Sequence, residues 1–224
     1  FGKSSKPAHY QFSFEALANN TKALLKSESI EQVIVMGHSM GGMLATRYAL
    51  NHSSSVEKLV LVNPVGLEDY LRYVEYKDPA FFYENEKGKT IDQIRAYQRK
   101  NYYDGKWSED YEELIEIHVG WINGDDWNQV AWNNALTYDM IFTGNVSNEF
   151  DQLVVPTHLI LGTRDTTGPG RGWKKEGVNY ELGRYDKLGE IVVEQIPDGY
   201  LYELEGIGHM PQFEAFDRYR EQLD

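Results

Sequence analysis

The stretch VIVMGHSMGG, residues 33–42, decides the fold of this chain. Its first four residues are continuously apolar, which is typical of a parallel strand covered on both faces. Residues 43–50 then have the apolar spacing of a helix, and residues 58–62 read as a second strand of the same buried type. A strand, a helix and a strand within about thirty residues predict a right-handed parallel unit. The fold class is therefore α/β, with a mostly parallel sheet and flanking helices.

The turn inside this stretch carries the pattern G-x-S-x-G, with Ser39 at its centre. A serine turned sharply out of a strand end occupies a strained backbone conformation. We expect the close approach of strand and helix to leave no room for side chains at Gly37 and Gly41, and Gly42 to relieve the packing further. The strand-turn-helix context is the one that a nucleophile elbow requires, so Ser39 is the candidate nucleophile.

A serine nucleophile needs a base within hydrogen-bond reach and an acid that orients the base. Among the six histidines, His209 is the candidate base, because it lies in a loop directly after the predicted strand 200–204. Open α/β sheets assemble their sites at such strand ends. We interpret the other five as structural, and we expect His38 to point away from the chemistry of Ser39. They are His9, His38, His52, His118 and His158.

Asp165 is the candidate orienting acid, because it follows the predicted strand 158–161 in the same way. Its alternative interpretation is a turn residue that caps the next segment. Glu68 and Asp69, after the strand that ends at residue 62, rank below it.

The composition excludes several classes of protein. The chain has 224 residues, no Cys, and 35 Asp and Glu against 22 Lys and Arg, for a formal net charge of −13. An acidic surface disfavours nucleic acid and anionic membranes as partners, and the apolar runs are too short to span a bilayer. No histidine pair has metal-ligand spacing with a nearby acid, so we expect neither metal nor cofactor. A small-molecule substrate is the expected partner of a soluble protein, with oligomeric state and compartment left open.

The composition of the sequence changes between residues 67 and 150, where aromatic residues become frequent. Sixteen of the 30 aromatic residues lie between 70 and 142, and short amphipathic helices are predicted there with Thr90 and Ser108 as N-caps. We predict an α/β core at 1–66 and 151–224 and a helical insertion, or cap, at 67–150. Most of the rings are expected to pack the insertion, and a few to line an apolar pocket.

The spacing of apolar residues predicts three more helices, at 14–25 with Ser13 as N-cap, at 182–196 and at 213–223.

Four motifs together resemble the α/β-hydrolase fold with an inserted cap: FGKSS at the start, GHSMGG, LILGTRD and GIGHMPQFE. The resemblance implies the triad Ser39, Asp165 and His209, in the chain order typical of that fold. It also implies that the backbone N–H of Met40 is one of two oxyanion donors. Esterases, lipases, carbon–carbon bond hydrolases, iminopeptidases and haloperoxidases share these motifs, whereas Ser39 argues against epoxide hydrolases and haloalkane dehalogenases.

The resemblance further implies that more chain precedes residue 1. In the family a stretch like FGKSS follows the fourth strand, and an upstream loop supplies the second oxyanion donor. We therefore expect the first strands of the core to be missing and residues 33–36 to form an apolar edge. On this expectation the fragment is insoluble or inactive.

The sequence thus favours a serine hydrolase that forms an acyl-enzyme, acting on carboxylic esters of small or medium apolar substrates. Two alternatives stay open. One is hydrolysis of an amide or a carbon–carbon bond by the same triad, and the other is a non-catalytic ligand-binding protein on this scaffold.

Overall fold

The computed structural model describes residues 4–7 and 9–223, so the first three residues of the FGKSS motif lie outside the described residues. The elements in chain order are α1 (Phe14–Ser27), β1 (Val33–His38), α2 (Met40–Asn51), β2 (Val56–Val62), α3 (Pro79–Lys87), α4 (Ile91–Asn101), α5 (Glu109–Ile122), α6 (Trp127–Thr143), β3 (Thr157–Gly162), α7 (Tyr185–Val193), β4 (Gly199–Leu204), α8 (Pro211–Glu214) and α9 (Phe216–Arg220).

The strands of the described chain form one sheet in the order β1-β2-β3-β4, and every neighbouring pair is parallel. This confirms the predicted α/β class with a parallel sheet. Because parallel strands end at the same edge of a sheet, the loops that follow β1, β2, β3 and β4 meet on one side of the molecule.

The core lies on both faces of the two central strands. Leu59 and Leu61 of β2 point into a cluster with α1, α2 and α7, whereas Val60 and Val62 point into a second cluster that includes Tyr219 of α9. Each of the four β2 side chains is at most 4% exposed, and full burial of one such side chain contributes about 1.5–3 kcal/mol. The continuous apolar runs therefore reflect burial on two faces.

Strand β1 departs from the prediction of burial on both faces. Ile34 is 58% exposed and Met36 is 48% exposed, while Val33 and Val35 pack against the core on the other face. In the described part of the chain β1 pairs with β2 alone and forms an edge of the sheet. The run is apolar, as predicted, but one of its faces is open.

Helices α3 to α6 occupy the segment 67–150, where the sequence predicts helices. Thr90 caps α4 in a capping box with Gln93, and Ser108 stands at the N-cap of α5 without a side-chain hydrogen bond. A cluster of buried residues connects Phe82 and Phe142 of this segment to Phe14 of α1 and Met43 of α2. The segment is thereby packed onto the sheet-and-helix core.

Two helix predictions in the last third are corrected. Helix α7 begins at Tyr185 and not at residue 182, because Gly183 has a φ of 76°, a left-handed value that interrupts a helix. The single closing helix predicted over 213–223 is two short helices, α8 and α9. Ala215 separates them with φ −149° and ψ 58°, which is not a helical conformation.

Candidate active site

The edge of the sheet where the strands end brings the three predicted site residues together. Ser39 follows β1 and its Oγ lies 3.0 Å from Nε2 of His209. Nδ1 of the same imidazole lies 2.6 Å from Oδ2 of Asp165. Both Asp165 and His209 are at most 2% exposed. The arrangement is a serine, a histidine and an aspartate joined in one hydrogen-bonded line.

The turn at Ser39 has the strained geometry that the sequence predicts, with φ 54° and ψ −125°. A Cβ on Gly37 would lie 2.1 Å from the carbonyl oxygen of Gly41, and one on Gly42 would lie 2.4 Å from Cβ of Pro64. A Cβ on Gly41 would meet no described heavy atom within 4 Å. The expectation that there is no room for a side chain therefore holds at Gly37 and Gly42 and is wrong at Gly41. Gly41 contributes instead the backbone carbonyl that a side chain at Gly37 would meet.

Met40 is the first residue of α2, directly after Ser39. A backbone N–H at this position has no acceptor within its helix, and the N-terminus of a helix carries a partial positive charge. Backbone hydrogen bonds from Gly42 N and Val65 N to the Ser39 carbonyl hold the turn in place at 2.9 and 3.1 Å. The Met40 amide is thus a free helix-terminal donor next to the serine.

Asp165 is held by hydrogen bonds to both of its carboxylate oxygens. Oδ1 accepts from the backbone N and the Oγ1 of Thr167 at 2.8 and 2.7 Å. Oδ2 accepts from His209 Nδ1 and from Nδ2 of Asn63. Burial by itself raises the pKa of Asp165, but the facing His209 and the hydrogen bonds from His209 and Thr167 outweigh it and lower the pKa. The carboxylate is therefore ionised at neutral pH and fully oriented.

Asn63 is a residue of this site that the sequence reasoning missed. It follows β2 directly, is completely buried, and has a φ of 38°. Its Nδ2 donates to Asp165 over 2.9 Å, while its Oδ1 accepts from the backbone N of Gly162 over 3.1 Å. A polar residue at the end of a buried strand was the available signal, the same one that pointed to Asp165 and His209.

His38 does not point away from the site, contrary to the expectation. Its Nε2 lies 2.7 Å from the backbone carbonyl of His209, and the two rings are 4.9 Å apart. Since a carbonyl only accepts, Nε2 carries the proton and donates it. Burial, followed by the proximity of His209, lowers the pKa of His38 to about 4. His38 is therefore neutral at pH 7 and ties the turn around Ser39 to the loop around His209.

The alternative acids have other partners. Oε2 of Glu68 accepts from the backbone N of Gly183 at 2.9 Å, and burial raises the pKa of Glu68. Asp69 precedes a 3-10 turn at 70–72. Among the described residues, Asp165 is the acid that contacts His209.

A residue from the segment 67–150 reaches the imidazole. The ring of Tyr102 lies 4.7 Å from the ring of His209, and the Tyr102 carbonyl accepts from Nη2 of Arg164 at 3.2 Å. Arg164 also pairs with Glu214, whose Oε2 accepts from the backbone N of Gly208 at 2.7 Å. These contacts fix Tyr102 against the loop that carries His209.

Two other kinds of site are absent from the part of the chain that the structure describes. Within residues 4–7 and 9–223, no group of three or more His, Asp or Glu side chains is placed to hold a metal ion. No helix in the described part of the chain has both the length and the apolar character needed to cross a membrane.

The fold and the geometry of the site agree with the family to which the sequence is similar. A family model described as the alpha/beta hydrolase fold matches residues 1–216. The chain belongs to this family.

Individual relatives support assignment to the hydrolases. A crystal structure of a probable hydrolytic enzyme from Pseudomonas aeruginosa PAO1 is 44% identical with a TM-score of 0.95, and covers 100% of this chain and 72% of that one. "Putative esterase/lipase 3" of Mycoplasma pneumoniae is 32% identical over 75% of this chain and 54% of its own length. AB hydrolase superfamily protein YisY of Bacillus subtilis is 23% identical over 75% of this chain and 62% of its own length. The chain thus spans less than two thirds of these two curated relatives.

Proposed function

We propose that the protein is a serine hydrolase that forms an acyl-enzyme, with carboxylic esters of small or medium apolar groups as its substrates. The observation that carries the proposal is the hydrogen-bonded line from Ser39 Oγ through His209 to Asp165, with distances of 3.0 and 2.6 Å. An isolated serine is a weak nucleophile at neutral pH, and a base at this distance is what activates it. Relatives named as esterase or lipase support the same class.

The first half of the proposed reaction transfers the acyl group to the enzyme. Nε2 of His209 takes the proton from Ser39 Oγ as that oxygen bonds to the ester carbonyl carbon. Asp165 accepts the Nδ1–H and so keeps Nε2 free to act as the base. The carbonyl oxygen becomes an oxyanion that accepts from the Met40 N–H. When the carbon–oxygen ester bond breaks, His209 gives its proton to the departing alkoxide, and an alcohol leaves.

The second half returns the enzyme to its starting state. Water gives a proton to His209 Nε2 while its oxygen bonds to the acyl carbon. The bond from that carbon to Ser39 Oγ then breaks, and Oγ regains the proton from His209. The products are a carboxylic acid and free enzyme, and none of these steps uses a metal or a cofactor.

The proposal includes the division of the chain into a core at 1–66 and 151–224 and a cap at 67–150. The contact between Tyr102 and His209 supports this division, because a residue of the inserted segment then packs against the proposed base. The cap would then cover the substrate and exclude water from the site.

A fluorophosphonate probe tests the proposal on the full-length protein. Covalent labelling and hydrolysis of p-nitrophenyl acetate should both be lost in Ser39→Ala and be kept in Ser27→Ala, which changes an exposed serine at the end of α1. Labelling without ester turnover would favour cleavage of an amide or a carbon–carbon bond by the same residues. Folded protein that takes no label would favour a non-catalytic ligand-binding role, and labelling that persists in Ser39→Ala would refute the assignment of the nucleophile.

A further inference from the structure

Residues of segment 67–150, together with Trp173, line a cavity of about 610 Å³ that is partly open to solvent. This volume lies in the range of about 300–1,000 Å³ that small-molecule sites occupy. Seven of the lining side chains in the described structure are aromatic, among them Trp127, Tyr138 and Trp173. An acetyl group would leave most of such a cavity unfilled.

Tyr102 connects this cavity to the candidate active site. It belongs to the cavity lining, and its ring also lies 4.7 Å from the ring of His209. Tyr97 and Gln98, on the last two turns of α4, continue the lining away from Tyr102. Tyr102 is thus common to the lining of the cavity and to the surroundings of His209.

The cavity carries no net charge. Its two ionised side chains, Glu86 and Lys89, form an ion pair with each other, and Asn134 Nδ2 donates to Glu86 Oε2 at 3.2 Å. His118, also in the lining, has its pKa lowered by burial and is neutral at pH 7. An ionised substituent would lose hydration here, and both charges of the lining are already paired with each other.

We propose that this cavity binds an uncharged aromatic substituent of the substrate ester. The inference rests on the proposed function of Ser39 and names the class of substrate. Aromatic rings gain edge-to-face and offset-stacked contacts with other rings in addition to the burial of their area. The lining offers such contacts at seven side chains, whereas a saturated ring of the same shape gains burial alone.

A series of p-nitrophenyl esters tests the substrate class, because all share one leaving group. We expect kcat/KM for the 3-phenylpropionate ester to exceed that for the acetate ester about tenfold or more, since one extra methylene group in an apolar pocket already gives about 10- to 200-fold discrimination. It should also exceed the value for 3-cyclohexylpropionate. A 4-carboxylate or a 4-aminomethyl group on the ring should abolish the advantage. Equal values for phenyl and cyclohexyl esters, or an advantage retained with a charged ring, would overturn the proposal.

Two tryptophans on the same helix provide a matched pair of variants. Trp127 lines the cavity, whereas Trp132 is 36% exposed, packs against Tyr83 and is outside the lining. Trp127→Ala should lower the ratio of kcat/KM between the 3-phenylpropionate and acetate esters about tenfold, and Trp132→Ala should leave the ratio unchanged. An unchanged ratio in Trp127→Ala would contradict the cavity assignment.

A binding measurement separates this inference from the proposed function. The Ser39→Ala variant is used because the binding measurement needs no turnover. Isothermal calorimetry should show that this variant binds 3-phenyl-1-propanol, and adding Trp127→Ala should weaken that binding about tenfold. Binding without any ester hydrolysis in the unmutated protein would refute the proposed function and support the cavity. Ser39-dependent ester hydrolysis without such binding would refute the cavity and leave the hydrolase proposal standing.

Discussion

Asn63 Nδ2 donates a 2.9 Å hydrogen bond to Oδ2 of Asp165, the same oxygen that accepts from His209. The other end of the amide is anchored, since Asn63 Oδ1 accepts from the backbone of Gly162. One buried side chain thus fixes the direction in which the carboxylate faces the imidazole. We infer that Asn63 is a positioning residue of the proposed hydrolase.

Replacement of Asn63 by leucine should lower kcat about tenfold or more with little change in KM. A hydrogen bond to a charged group contributes about 1.5–3 kcal/mol, and about 1.4 kcal/mol corresponds to a factor of ten in rate. The rate of fluorophosphonate labelling should fall in parallel, because it reports the activation of Ser39. Asn51→Leu, at an exposed position at the end of α2, is the control. An effect on KM alone would argue against positioning.

The substitution Asp165→Asn should lower kcat by about 10⁴, the size expected when the acid of a serine triad becomes an amide. The amide can donate to Nδ1 and so hold the imidazole with its proton on Nε2, where it can no longer accept one from Ser39. Steady-state kinetics on p-nitrophenyl esters measure the effect. Asp151→Asn, on the surface of the core, should retain full activity. A loss of less than about tenfold would show that Asp165 does not act on His209.

His38 should make the stability of the protein depend on pH. Its pKa is about 4 in the folded protein against an ordinary value of 6.5. The unfolded chain therefore takes up a proton first, and stability is lost as pH falls from about 6.5 to about 4. The loss amounts to about 3 kcal/mol.

Urea titrations across this pH range check the prediction. His38→Gln keeps a donor for the His209 carbonyl but cannot titrate, so its free energy of unfolding should fall less steeply with decreasing pH. His9→Gln, at an exposed position, should follow the unmutated protein. Identical pH slopes in the unmutated protein and in His38→Gln would rule out the role given to His38.

The glycines of the turn should respond differently to alanine. In Gly37→Ala the new Cβ meets backbone atoms that have no room to move, so the free energy of unfolding should drop by about 1–3 kcal/mol or more. Gly41→Ala places its Cβ in open space among the described residues, within helix α2. It should be neutral, or stabilising by up to about 1 kcal/mol. Denaturant unfolding of the two variants measures both free energies of unfolding. Similar losses of stability in the two variants would contradict this difference between Gly37 and Gly41.

Much of the local structure was predictable from short-range pattern. The apolar runs identified β1 to β3, and the spacing of residues 14–25 with Ser13 identified α1, whose N-cap accepts from Ala16 N as expected. These features depend on residues close in the chain. Two errors came from contacts between distant elements, since the open face of β1 and the steric role of Gly41 depend on what packs beside them. The errors at the helix boundaries came from the local backbone conformations of Gly183 and Ala215.

The sequence by itself determined the α/β class, the order of the elements and the three candidate site residues, because periodicity, turn glycines and strand-end positions are local properties. Only the tertiary structure decided which groups surround those residues. Asn63 meets Asp165 across 102 positions, and the ring of Tyr102 lies against that of His209 from the inserted segment. His38 reaches the carbonyl of His209 across 171 positions. Such contacts arise when parallel strands end at a common edge, and no local pattern specifies which polar side chains will then share a hydrogen bond.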